Sequence, residues 1–188
     1  MLTTARTFAI ALCLVLLASP ASAYDAPKNK QTKLVLYLTP AEASSLVKAE
    51  RSKVLFVDIR TRAELQFVGY TEEVDAVVPY LETAEWDDRS TRFKFEPNPL
   101  FSQTVEKLLA SKGLGKADKV ILMCRSGDRS AAAANSLAEA GFTQVYSQIE
   151  GFEGDMSSEG RRTVSDWKNA GLPWTYRLDK ARVYFSRN

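Results

Sequence analysis

The chain has 188 residues, a formal net charge of +2 at pH 7 and no histidine. Such a nearly balanced charge gives no basic field that would attract nucleic acid or a membrane surface, so neither is expected as a partner. The absence of histidine excludes Cys–His hydrolase mechanisms and every metal site that needs a histidine ligand.

Residues 1–23 predict a secretory signal peptide. Arg6 precedes a short apolar run, and the small residues 21–23 form an A-x-A cleavage pattern. The apolar run is shorter than the about 20 residues that a membrane-spanning helix needs. We therefore expect an exported protein of the bacterial periplasm with no stable membrane insertion after cleavage. A flexible lead-in over 24–32 and a single domain with a short C-terminal tail over 33–188 should follow.

Strands and helices alternate along this domain, which predicts an α/β fold with a central, mostly parallel sheet flanked by helices. A capping box of Thr39 and Glu42 marks the first helix. In chain order the predicted elements are a strand over 33–38, a helix beginning at Thr39, a buried strand over 54–57, a short helix over 61–67, an extended surface excursion over 69–99, a helix over 100–110, a buried strand over 119–123, a helix over 131–140, a short strand over 145–146, a turn-rich loop over 151–155 and a last helix over 164–170.

Cys124 is the only cysteine outside the predicted signal peptide, because Cys13 lies within it. Cysteines of exported proteins normally pair. An unpaired Cys124 is therefore a free thiol, an intermolecular bridge or a reactive site. A buried, inert thiol is the alternative. Charged residues and a glycine follow Cys124 directly, and this setting favours a reactive thiol over a core residue.

The position of Cys124 between a buried strand and a helix is where open α/β sheets bind ligands. The loop over 125–130 can curl so that its backbone N–H groups point at the sulfur, and the following helix directs its positive end there. Arg125 and Arg129 add two cations, partly opposed by Asp128. Together these features favour the thiolate, which is the nucleophilic form of cysteine.

A thiolate in an anion-binding loop predicts sulfur transfer. Thiosulfate would dock against the arginines and give its outer sulfur to Cys124, and cyanide or a thiol would take that sulfur from the persulfide. This chemistry needs no histidine base, no metal and no cofactor beyond the covalent persulfide. The expected partners are a small sulfur-containing anion and a cyanide or thiol acceptor, and a protein acceptor is an open alternative.

The sequence CRSGDRS at 124–130 resembles the C-R-x-G-x-R loop of the rhodanese family. The resemblance extends over about 33–176 and implies a rhodanese-like three-layer fold with thiosulfate sulfurtransferase activity. Its other matches are 57–60 with Glu64 and Gly69, similar to V-D-x-R-x-x-x-E-[FY]-x-x-G, and 150–154 and 171–174, similar to the closing segments of the family.

The resemblance also implies roles for individual residues. Cys124 is the persulfide carrier, and Asp58 and Arg60 support the site from a neighbouring strand end, unless they form only a structural ion pair. The sequence departs from the family after Gly69 and over 156–163, which affects substrate choice. The implied substrate-binding residues are Arg125, Ser126, Gly127, Asp128, Arg129 and Ser130.

Two rival functions have to be weighed. Cysteine phosphatases and arsenate reductases need Cys-x5-Arg, whereas Arg129 gives Cys-x4-Arg and Ser130 occupies the phosphatase position. The smaller loop suits a single sulfur atom better than a phosphate. The second rival is a non-enzymatic sulfur-relay or docking module of rhodanese fold, with the excursion over 69–99 as its partner surface.

Overall fold

The computed structural model of the protein describes residues 24–184, so the predicted signal peptide lies outside the described residues. Within this range no helix is long and apolar enough to cross a membrane. After a short 3-10 helix at Lys28–Lys30, the elements are β1 (Tyr37–Leu38), α1 (Pro40–Glu50), β2 (Val54–Asp58), α2 (Arg62–Val68), β3 (Ala76–Val77), β4 (Leu81–Asp87), β5 (Arg92–Pro97), α3 (Phe101–Ser111), β6 (Lys119–Met123), α4 (Asp128–Glu139) and β7 (Val145–Gln148).

Five of these strands form one parallel sheet in the order β1-β7-β6-β2-β3. β2 and β6 are continuous apolar runs because helices cover both faces of the sheet. Leu55 and Val57 share a core with α3 and α4, whereas Val54 and Phe56 share another with α1 and α2. The predicted α/β fold, with a parallel sheet between two helical layers, is confirmed.

The central strand pair determines where the chemistry lies. β2 and β6 are in register, with Asp58 opposite Met123. Because both strands run in the same direction, Asp58 and Cys124 emerge at the same carboxyl edge of the sheet. The capping boxes of Thr39 and Thr61 are both formed, with Glu42 and Glu64 as their partners, so α1 and α2 begin close to where the sequence predicts.

The amino-terminal part of the domain differs from the prediction. Of the strand expected over 33–38, only Tyr37–Leu38 pairs with β7, because Val35 adopts a left-handed backbone with φ of 54°. The expected flexible lead-in over 24–32 instead packs on the domain. Lys30 is buried, and its ammonium group lies 2.6 Å from a carboxylate oxygen of Asp155.

The interpretation of 69–99 as a surface excursion is wrong in part. This segment supplies β3 at the edge of the parallel sheet and then the antiparallel hairpin of β4 and β5. In β5, Phe93 and Phe95 alternate with charged residues, which is a strand pattern. The alternation covers only the six residues of β5, and the rest of the segment 69–99 does not share it.

The helix predicted over 164–170 is also wrong, since the segment consists of turns. The backbone N–H of Trp167 donates to the carbonyl of Gly151 at 3.0 Å, and that of Lys168 donates to Phe152 at 3.4 Å. These long-range hydrogen bonds replace those of a helix. The fully buried Trp167 side chain draws the segment into the core.

The turn that follows β7 supports the cysteine loop from behind. The N–H of Phe152 donates to the carbonyl of Cys124 at 2.8 Å, and the N–H groups of Glu153 and Gly154 donate to that of Arg125 at 2.9 and 3.0 Å. Gly151 has a φ of 71°, and a Cβ there would lie 2.3 Å from the Arg125 carbonyl oxygen. Only glycine allows the two backbones to come this close.

We therefore expect Gly151→Ala to lower the free energy of unfolding by about 3 kcal/mol, from left-handed strain plus overpacking. Gly171→Ala is a matched control, because Gly171 has a φ of 69° with no atom within 4 Å of its Cβ position. The control should cost only about 1 kcal/mol. Urea unfolding measures both losses, and equal losses would show that the close approach to Arg125 is unimportant.

Candidate active site

Cys124 follows β6 directly, and the backbone then curls around its side chain. The N–H of Gly127 donates to the Cys124 Sγ with a nitrogen–sulfur distance of 3.1 Å. Gly127 has a φ of 103°, and a Cβ there would lie 2.0 Å from the Ile149 carbonyl oxygen. The Cys124 side chain is fully buried and belongs to the apolar cluster between the sheet and α3 and α4, and the Gly127 N–H faces its sulfur.

An ion pair between Glu64 of α2 and Arg129 of α4 connects these two helices beside the cysteine loop. Two guanidinium nitrogens of Arg129 lie 2.8 and 2.5 Å from the two carboxylate oxygens of Glu64. Burial alone would raise the pKa of Glu64, but the hydrogen bonds and charge of Arg129, with the capping contacts of Thr61, lower it to about 2. Burial opposes the charge on Arg129 as well, yet Glu64 raises the pKa of the guanidinium. Glu64 thus fixes Arg129 in place.

Asp58 and Arg60 form a structural ion pair with both side chains fully buried. The closest oxygen–nitrogen distance between them is 2.6 Å, and Arg60 also donates to the carbonyl of Gly69 at 2.9 Å. The Arg60 guanidinium stacks on Phe152, with 3.9 Å from Cζ to the ring centroid. The pair therefore joins the end of β2 to the turn that supports the cysteine loop.

Arg125, unlike Arg129, has a guanidinium group that no carboxylate of residues 24–184 neutralises. Its side chain is exposed, and it takes part in none of the ion pairs found among residues 24–184. Asp128 is held within the loop, since its carboxylate accepts from the Ser126 hydroxyl at 2.8 Å. Burial would raise the pKa of Asp128, but this hydrogen bond and the neighbouring arginines give a net lowering.

The structure brings three further residues to the site that the sequence reasoning missed or underused. Glu64 has a place in the sequence analysis only as part of a family pattern, and its contact with Arg129 joins distant parts of the chain. Ser147 lies on β7 with its hydroxyl 3.0 Å from that of Ser130. Phe95 of the hairpin covers Arg129, with 5.6 Å from the Arg129 Cζ to the ring centroid. Nothing local in the sequence marks Ser147 or Phe95.

These features define a class of protein: an α/β domain with a cysteine-centred loop at the carboxyl edge of a parallel sheet. A family model described as "Rhodanese-like domain" matches residues 39–157. The chain belongs to the rhodanese-like family, and the predicted family membership and fold are confirmed.

Individual relatives agree with this placement. The chain is 31% identical to the crystal structure of Rv0390 from M. tuberculosis, with a TM-score of 0.55 over 74% of this chain and 96% of that one. It is 29% identical to "Uncharacterized protein RP600 homolog" of Rickettsia rickettsii over 64% of this chain and 81% of the relative. It is 28% identical to "Uncharacterized protein RP600" of Rickettsia prowazekii over 66% and 85%, respectively.

The Glu64–Arg129 pair predicts an acid-sensitive contribution to stability. Unfolded Glu64 takes up a proton below its ordinary pKa of about 4.3, whereas the folded carboxylate stays ionised until its pKa of about 2. The contribution, about 3 kcal/mol, is therefore present above about pH 5 and is lost as the pH falls towards 2.

Urea unfolding of wild type and Glu64→Gln across this pH range measures that contribution as the difference between their free energies of unfolding. Glu139→Gln is the control, because Glu139 forms an exposed pair with Lys33 at 2.5 Å and should change stability little at any pH. A Glu64 difference that does not depend on pH would contradict the assigned pKa.

Proposed function

We propose that the protein is a sulfurtransferase that carries sulfane sulfur as a persulfide on Cys124. The observation that carries this proposal is the 3.1 Å contact from the Gly127 N–H to Sγ. It gives a main-chain donor to the one atom that has to become anionic. The loop leads into α4, and the positive end of that helix adds to the same stabilisation.

The reaction proceeds in two half-reactions. The Cys124 thiolate attacks the outer sulfur of thiosulfate, a new sulfur–sulfur bond forms, and sulfite leaves with the electron pair of the broken bond. Cyanide then attacks the outer sulfur of the persulfide, which releases thiocyanate and returns the thiolate. A thiol acceptor would take the sulfur in the same way. Neither step needs a histidine base, so the chain is chemically sufficient.

Arg125 is the residue we assign to binding the sulfonate group of the donor. It adjoins Cys124, is exposed and has no ion-pair partner within residues 24–184. Arg129 is less suited to that role, because Glu64 already neutralises it. The same pairing argues against phosphatase chemistry, which needs an arginine free to grip a tetrahedral oxyanion.

A sulfur-relay module is the second candidate function, and the β4–β5 hairpin favours it. Trp86, Phe93 and Phe95 of the hairpin are about half exposed, at 49%, 56% and 48%. A protein that donates or accepts sulfur would find an apolar surface there beside Arg129.

Export after cleavage behind residue 23 remains part of the proposal, and the intact mass of the protein recovered from cells decides it.

We expect thiosulfate to add the mass of one sulfur atom to the wild-type chain and cyanide to convert that sulfur to thiocyanate. Cys124→Ser should abolish both results, whereas Cys13→Ser, tested in the chain that retains residues 1–23, should leave both unchanged. Intact mass spectrometry and a thiocyanate assay provide the measurements. A wild type that is silent with small donors, but is loaded by a persulfidated protein, would favour the relay function instead.

We expect Arg125→Ala to raise the KM for thiosulfate about tenfold, which corresponds to the loss of about 1.4 kcal/mol of binding. The value of kcat should change much less, because the thiolate and its backbone donor are retained. Arg177→Ala is the control, since Arg177 is also an exposed arginine but lies outside the loop. Steady-state kinetics separate the two parameters. An unchanged KM would remove Arg125 from donor binding.

A further inference from the structure

Two buried serine hydroxyls form a chain of contacts that ends at the sulfur of Cys124. The Ser147 hydroxyl on β7 donates to the Ser130 oxygen at 3.0 Å, and the Ser130 oxygen lies 3.6 Å from the Cys124 Sγ. All three residues are fully buried, with 0% of their surface exposed. Buried hydroxyl groups are normally hydrogen-bonded, and here the hydrogen-bonded series ends at the sulfur of Cys124.

The hydrogen bonds of Ser130 can be fully accounted for in the thiol state. A hydroxyl has one proton to donate and two lone pairs that accept. Ser130 donates to the carbonyl of Gly127 at 2.9 Å, and the carbonyl of Gln148 is a weaker second acceptor at 3.4 Å. Its two lone pairs accept from the Ser147 hydroxyl and the Cys124 thiol. The set is complete only while the sulfur keeps its proton.

Loss of the thiol proton to water changes this set. The thiolate no longer donates to Ser130, and it becomes a stronger acceptor than a neutral carbonyl, because hydrogen bonds to ionised groups are about twice as strong. The Ser130 hydroxyl then gains by turning from the Gly127 carbonyl to the sulfur. The Ser147 donor continues to occupy one lone pair of Ser130, so the Ser130 proton can point to the Gly127 carbonyl, to the Gln148 carbonyl or to the sulfur.

We propose that Ser147 and Ser130 form a hydroxyl relay that positions a second hydrogen-bond donor on the Cys124 thiolate. The link to turnover rests on the proposed function, because the thiolate is the nucleophile of the first half-reaction and the leaving group of the second. The relay itself does not require a sulfur donor. Ser147 is a positioning residue, since it acts through Ser130, which itself contacts the sulfur of Cys124.

Charged groups also lie around the loop, and they are the same in every variant that the test needs. They belong to the loop, to α4, to the ends of β2 and α2, and to the amino-terminal segment. These groups are Arg125, Asp128, Arg129, Asp58, Arg60, Glu64 and Lys30.

The test is a pH titration of thiolate absorbance in the full chain. The spectrum of Cys124→Ser is subtracted to remove the absorbance of the tyrosines and of Cys13. We expect Ser130→Ala to contain about tenfold less thiolate at a given pH on the rising part of the curve, because a hydrogen bond to a charged group is lost. Ser147→Ala should shift the curve in the same direction by a smaller factor. It serves as the second variant if Ser130→Ala does not fold.

Ser44→Ala is the matched control, because Ser44 is another buried serine on a helix and its hydroxyl has no partner within the described residues. Its titration should coincide with that of wild type. Curves for Ser130→Ala and Ser147→Ala that also coincide with wild type would overturn the relay. Shifted curves in a protein that fails to transfer sulfur would support the relay while removing the proposed function, so the two ideas fail separately.

Discussion

The site depends on the tight backbone turn that brings the Gly127 N–H onto the sulfur of Cys124. Two contacts fix this turn. It follows β6, which pairs with β2 and β7 in the sheet, and its carbonyls at Cys124 and Arg125 accept hydrogen bonds from the segment after β7. Two glycines, Gly127 and Gly151, have backbone conformations that side chains disfavour, and each is pressed against a neighbouring carbonyl. Contacts on both sides of the loop therefore fix its conformation, and they hold the Gly127 N–H against the sulfur.

The charged side chains around the loop are of two kinds, those paired with an opposite charge and one that is exposed. Asp58 with Arg60, and Glu64 with Arg129, are close pairs whose charges largely cancel inside the domain. They connect β2, α2 and α4 around the loop, so their role is to hold its position. Arg125 is left as the exposed positive charge beside the sulfur. Within residues 24–184 the paired Arg60 and Arg129 therefore differ from Arg125 in their partners, which residue type alone does not reveal.

The sequence predicted the parts of the molecule that depend on local rules. The buried runs of β2 and β6, the capping box at Thr39, and the cysteine loop between strand and helix all have short-range signals. The pairing of Glu64 with Arg129 joins residues far apart in the chain, so spacing alone could not give it. The segment 164–170 has a helical pattern, but its N–H groups bond to residues 151 and 152 instead. Tertiary hydrogen bonds decided that case.

Burial of Cys124 bears on both candidate functions. A persulfide is easily lost to stray thiols, and a covered sulfur is protected from them until a partner or donor displaces the rim. Phe95 of the hairpin lies beside the loop, where it packs against the Glu64-bound Arg129. A small anion would have to reach the buried sulfur past the exposed Arg125, whereas a protein carrier could also use the hairpin surface. The chemistry at the sulfur is the same in both cases, so what distinguishes an enzyme from a relay is the rim that admits the donor.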